Sequence, residues 1–249
     1  MKKAVIILAI LCGLTGCSKK EPSAIDTGQH IPSGSAQYEI LFETKPLQFT
    51  YAPLFDKDYT AIKTIDCDGL LFTIYQLPDD SYYFYLYVTV AGINYDLGVI
   101  GSGGPDIDSC HSIFDPLIQK TSISATDTIY EVIRGENFDV VTTTYFSIDN
   151  DIPILLYSIP GIGEQYDIDQ DGQVETIANG SLSTSPNYLI YEWALDAGEI
   201  HTADLRKQLS CDTVVFDDAA LSFDAGKRID AEWYHDYYKY VGGYLEEMV

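Results

Sequence analysis

Short runs of β-branched and aromatic residues, each cut off by turn chemistry before it can build a long helix, constrain this chain more than any other feature. The clearest are residues 70–77, 82–91, 128–134, 138–148, 153–159, 188–193 and 213–216. Pro78-Asp79-Asp80-Ser81, Gly135-Glu136-Asn137 and Asp149-Asn150-Asp151 each join two such runs over a few residues, which is the hairpin signature. At the C-terminal end, residues 237–241, Gly242-Gly243 and Tyr244-Leu245-Glu246 read as one more tight hairpin. Helix is expected only in residues 110–118 and 202–209, the second with Leu205 and Leu209 four residues apart behind a Thr202 cap. The sequence therefore predicts an all-β fold of antiparallel β-meanders.

The N-terminal residues have a different character. Lys2 and Lys3 precede an apolar stretch over residues 4–14, followed by Leu14-Thr15-Gly16-Cys17 and the polar Ser18-Lys19-Lys20. This is the layout of an export signal. Its apolar part rises about 16 Å as a helix, roughly half a bilayer core, so cleavage is expected rather than a membrane-spanning anchor. Leu14-Thr15-Gly16-Cys17 also resembles the bacterial lipobox. That resemblance implies cleavage before Cys17 and a diacylglycerol thioether on it, often with acylation of the new amino terminus, which together hold firmly to a membrane. The expected organisation is a signal peptide over 1–16, a lipid-anchored flexible linker over 17–36 and a single β-rich domain over 37–249. The linker is rich in Ser, Gly, Pro, Lys and Gln and has almost no large apolar residue to bury.

Charge narrows the partners. The formal charge is −24, and removal of Lys2 and Lys3 takes it to −26. Such a surface argues against nucleic acid and against polybasic docking to anionic lipid. With Cys12 lost and Cys17 lipidated, Cys67, Cys110 and Cys211 remain, giving either one disulfide plus a free thiol or three unpaired thiols. His30, His111, His201 and His235 are scattered, and no Cys or His spacing matches a zinc site.

One segment carries specific chemistry. Asp167-Ile168-Asp169-Gln170-Asp171-Gly172-Gln173-Val174-Glu175 sets carboxylates at alternate positions, a glycine at the sixth and a further carboxylate at the ninth. Asp167, Asp169, Asp171, the Gln173 carbonyl and Glu175 can converge on one hard cation such as calcium, with Gly172 permitting the sharp bend. Position twelve is Ala178, which disfavours an EF-hand. With Thr176-Ile177-Ala178-Asn179-Gly180 and the run Tyr188-Leu189-Ile190-Tyr191-Glu192-Trp193 behind it, the loop resembles the calcium hairpin of FG-GAP or VCBS-type repeats, the blades of integrin-like β-propellers. The resemblance spans residues 161–200. It implies that the loop joins the first two strands of a blade, that calcium is held by the five residues just named, and that the fold is a small or degenerate β-propeller. Residues 94–101 are similar to the second strand of such a repeat, although no second acidic loop accompanies them.

Other segments are assigned plainer roles. Gly101-Ser102-Gly103-Gly104-Pro105 reads as a loop, since no Lys follows it. Tyr82, Tyr83, Phe84, Tyr85 and Tyr87 fit either a sugar-stacking platform or a half-buried sheet, and Trp193 and Trp233 are expected as core anchors. No catalytic constellation stands out. The function expected is a cell-envelope surface lipoprotein, facing outside the cytoplasm from a cell membrane or outer membrane. It would act as a calcium-stabilised binding or scaffolding module for envelope glycan, peptide or an exported protein. The alternative is a lipid-anchored hydrolase of envelope glycan or peptide.

Overall fold

The computed structural model describes residues 36–102, 118–137, 140–180 and 185–248. The chain first runs as an extended strap containing three short strands, β1 (Gln37–Glu39), β2 (Glu43–Pro46) and β3 (Thr50–Tyr51). It then builds four successive antiparallel meanders. The first sheet holds β4 (Thr60–Cys67), β5 (Leu70–Leu77), β6 (Asp80–Val90) and β7 (Ile93–Ser102). The second holds β8 (Ile118–Lys120), β9 (Ile129–Asn137), β10 (Val140–Asp149) and β11 (Ile152–Pro160). In the third are β12 (Gly163–Tyr166), β13 (Glu175–Asn179), β14 (Tyr188–Ala194) and β15 (Glu199–Asp204). A short helix, α1 (Leu205–Leu209), leads to the fourth, made of β16 (Thr213–Asp217), β17 (Ser222–Ile229), β18 (Glu232–Val241) and β19 (Tyr244–Met248).

The all-β antiparallel architecture predicted from the turn spacing is what the chain adopts. Three apolar clusters lie between successive sheets. Phe72, Ile74, Phe84 and Leu86 of the first sheet meet Tyr130, Val132 and Phe146 of the second. Ile129, Tyr145 and Ile159 of the second meet Ala178, Tyr191 and Ile200 of the third. Ile177, Ile190 and Ala203 of the third meet Phe216, Phe223 and Tyr240 of the fourth. The two middle sheets are thus buried on both faces, which is why strands such as β9 and β14 carry apolar runs without alternation. Among the described residues these clusters join the four sheets in a row, first to second, second to third and third to fourth.

The strap runs back along this row, pairing with the last strand of each meander. β1 pairs with β19, β2 with β15 and β3 with β11, all antiparallel. Leu54 then bridges to Tyr95 of β7, flanked by hydrogen bonds from Phe55 N to Asn94 O and from Asp96 N to Pro53 O, both 2.9 Å. Its apolar residues enter each inter-sheet core in turn: Ile40 in the third, Leu47 in the second and Ala52 in the first.

Local chemistry sets the turns. Asn150 and Asp151 both have positive φ, 49° and 62°, as a two-residue type I′ hairpin requires. Gly242 and Gly243 do the same between β18 and β19, where a tight hairpin was expected. Between the second and third sheets only Gly161 and Ile162 intervene, and Gly161 has φ 86°. A Cβ there would lie 2.0 Å from Asn179 O, so the close crossing demands glycine.

Several expectations need correction. Gly135–Asn137 is not a turn but the end of β9, because Asn137 pairs with Val140 and Gly135 with Val141 across a bulge. Residues 94–101 lie in β7, the last strand of its meander rather than the second. The helix cap is Asp204, not Thr202: Thr202 still pairs in β15, while Asp204 Oδ1 accepts from Lys207 N at 3.1 Å. Trp233 is half exposed on the outer face of the fourth sheet, whereas Trp193 is anchored, its Nε1 donating to Thr176 Oγ1 at 2.8 Å and its ring 4.7 Å edge-on from Tyr145. Tyr75, Tyr85 and Tyr87 form an aromatic layer on the outer face of the first sheet, but Phe55 and Tyr59 of the chain itself cover it, Phe55 stacking on Tyr87 at 4.7 Å. Cys67 and Cys211 are free thiols; Ile118, expected to end a helix, opens β8 instead, and Cys110 with the rest of that segment and residues 103–105 lie outside the described residues.

One polar group is sealed between the second and third sheets. Glu131 is fully buried, accepting from Gln119 Nε2 and, at 2.9 Å, from Gln165 Nε2. Burial raises its carboxyl above the ordinary 4.5, while those hydrogen bonds pull the other way. Its contribution to stability is therefore present below about pH 4.5 and is lost as pH rises through the raised folded value. Melting curves from pH 4 to 8 should show Glu131→Gln with a flatter decline than wild type; an unchanged slope contradicts this. Leu47→Ala, which opens a cavity where the strap enters the second core, should cost about 2–5 kcal/mol in a denaturant titration. A cost below about 1 kcal/mol would mean that the strap adds little to the packing.

Candidate metal loop and adjoining cleft

The acidic segment forms the loop between β12 and β13, the first two strands of the third sheet. Tyr166 pairs with Glu175 at its base, so the eight residues between them have to reverse direction while carrying three aspartates. The loop is held by its own side chains. Asp169 Oδ1 accepts from Asp171 N at 3.2 Å, Asp167 Oδ2 from Gly172 N at 3.2 Å, and Asp171 Oδ1 from Gln173 N at 2.7 Å. The first and third are Asx turns, and in all three a short acidic side chain satisfies a backbone donor that no ladder reaches. Gln170 at φ 63° and Gly172 at φ 92° supply the left-handed turns.

Not all five expected ligands converge equally. Asp167, Asp169 and Glu175 each offer a carboxylate oxygen, and these oxygens lie within 4.8 Å of one another. Oxygens on opposite sides of a calcium ion, each at about 2.4 Å, are separated by about that distance. Asp171 stands outside this trio, exposed, with its other oxygen accepting from Gln173 Nε2 at 3.2 Å. Gln173 is exposed as well.

Two observations test whether the trio suits a cation. Asp167 Oδ1 is sealed from solvent and accepts no hydrogen bond, which is costly for a carboxylate oxygen unless something positive meets it. Glu175 is 5 % exposed. Burial first, and then the charges of Asp169, Asp171 and Glu192, push its carboxyl up to about 7, against the hydrogen bond from Ile168 N at 3.0 Å. The residues fit a hard divalent ion.

The loop also reaches across to the fourth sheet, where Gly242 N donates to Asp169 Oδ2 at 3.0 Å. Beside this latch opens a cleft of about 710 Å³, bounded by the acidic loop, the β8–β9 connection near Ile123, and Gly242-Gly243. Glu192, Trp193, His201, Tyr240 and Phe42 line it further in. Tyr240 donates to Glu192 Oε1, and burial followed by this hydrogen bond holds its phenol well above the ordinary value. His201 Nδ1 lies 3.7 Å from Glu192 Oε2, the two residues being cross-strand partners on β14 and β15. Sequence reasoning did not select Glu192, His201 or Tyr240 as functional. They sit on three different strands, and no local spacing links them. Compared with known families, curated proteins and solved structures, the chain matches no family model, no curated protein and no solved structure.

Proposed function

We propose that this chain is a cell-envelope surface lipoprotein, tethered through Cys17, that works as a calcium-stabilised binding or scaffolding module. The observation that carries the calcium part is the convergence of Asp167, Asp169 and Glu175 around a buried, unpaired carboxylate oxygen. Calcium would be held by these three with Asp171 and the Gln173 carbonyl, and when bound it supplies positive charge that offsets their mutual repulsion. Its role would be structural. Asp169 already reaches Gly242, so bracing the loop also braces the third sheet against the fourth at the mouth of the cleft. The export-type N-terminus and the lipobox-like Leu14-Thr15-Gly16-Cys17 support the surface location.

A hydrolase remains the second reading because Glu175 and Glu192 share one cleft and Glu175 is the kind of raised carboxyl that a general acid needs. Calcium at the loop would hold Glu175 ionised and take that proton away. The same group cannot serve both roles at once, and binding is the reading consistent with the loop.

Two outcomes test the proposal. A ligand bound only by the native state adds about 2.7 kcal/mol at a hundredfold excess over Kd, so chelation of the calcium-loaded protein should lower its Tm by several degrees. Asp169→Ala should lower it comparably and remove the response to calcium. Calorimetry showing no calcium binding, with a melting curve indifferent to chelator, would refute the assignment. Cys17→Ala should move the protein from the detergent phase to the aqueous phase in detergent partitioning, and equal partitioning of mutant and wild type would sink the anchor.

A further inference from the structure

The inner wall of the cleft has a chemistry separate from that of the loop at its rim. Four carboxylates face the space, from Asp169, Asp171, Glu175 and Glu192, and none of the described residues lining it is Lys or Arg. Acidic residues alone would make only a solvated surface. Here they occur in a concavity of about 710 Å³, a size that suits small organic ligands. Aromatic side chains from three separate elements enter it: Phe42 from the strap, Trp193 from β14 and Tyr240 from β18. Phe42 and Tyr240 meet edge to face, with centroids 6.5 Å apart and planes at 81°.

Glu192 is the fixed polar point on this wall. Tyr240 occupies its Oε1, and Oε2 is directed within 3.7 Å of His201 Nδ1, so the carboxylate is oriented before any ligand arrives. An anionic ligand would be repelled from this wall, and a neutral one would gain nothing from its field. A cation gains from the carboxylates and from the ring faces together.

We propose that the cleft binds an organic cation, an amine-bearing ligand whose ammonium group meets Glu192 and whose hydrocarbon part lies against Phe42 and Trp193. This rests on reading the chain as a binding module. It does not require calcium, because Glu192, Tyr240 and Phe42 are not among the loop's ligands. A divalent ion on the loop would neutralise two of the cleft's negative charges and leave the wall at Glu192 acidic.

The test is calorimetric titration of the full-length protein, solubilised in detergent, with Nα-acetyl-lysine methylamide and with its uncharged analogue Nα-acetyl-norleucine methylamide. The lysine compound should bind, and the norleucine compound should not. Affinity for the amine should fall as salt is raised, and Glu192→Gln should weaken it by about tenfold or more. Equal binding of both compounds, binding of neither, a salt-independent affinity, or an unchanged affinity in a folded Glu192→Gln variant each overturns the proposal. Should that variant fail to fold, the salt dependence and the norleucine comparison decide it on wild-type protein. A separate calcium titration keeps the two readings apart: calcium binding without amine binding removes the cation site alone, and amine binding without calcium binding removes the loop assignment alone.

Discussion

The fold depends on hydrogen bonding along one edge. Each meander ends in a strand whose free side would present a row of unpaired backbone donors and acceptors, and β19, β15, β11 and β7 all meet the same strap there. The strap also sends Ile40, Leu47 and Ala52 into three different cores. Neighbouring sheets are already joined by apolar packing. The strap adds a link that runs the length of the row, so the edge of each sheet is covered by a segment anchored in its neighbour.

The candidate site follows from that arrangement. The β12–β13 loop lies beside the β8–β9 connection of the second sheet and the β18–β19 turn of the fourth. Its carboxylates are crowded for the same reason that the cleft exists: loops from three sheets meet there. Glu175 experiences both effects, buried at the base of β13 and repelled by Asp169, Asp171 and Glu192. An elevated carboxyl at this position is therefore a sign of a charge deficit that a cation can offset.

Much of this was legible in the chain, and the illegible parts share a cause. The run 70–77 matches β5, and 188–193 falls within β14, because β-branched and aromatic density is a local property. The resemblance of the acidic segment to an FG-GAP-type hairpin implied a loop between the first two strands of a sheet, and the segment does join β12 to β13. The strap could not be read, since Glu43-Thr44-Lys45-Pro46 has no period of its own and becomes β2 only because β15 offers an edge. Glu131 gives no sign of burial in sequence; its environment is made by Gln119 and Gln165 from other strands. Trp233 was misplaced because β18 alternates, putting Tyr238 and Tyr240 in the core and Trp233 and Tyr237 outside. The cleft wall needed three strands and the strap to come together, which no single window of residues contains.

The order of pairing along the strap also gives the molecule a mechanical polarity. Tension applied at residue 36 reaches β1 first, where only three residue pairs hold it against β19. Leu47 and Ala52 lie behind later pairings, with β15 and β11. A pull from the N-terminal side would therefore release the strap from the fourth sheet before the others, with Ile40 the first side chain withdrawn from a core. The loop and cleft lie next to that same sheet. Load carried along the backbone would reach the mouth of the cleft early, while the first sheet stayed intact.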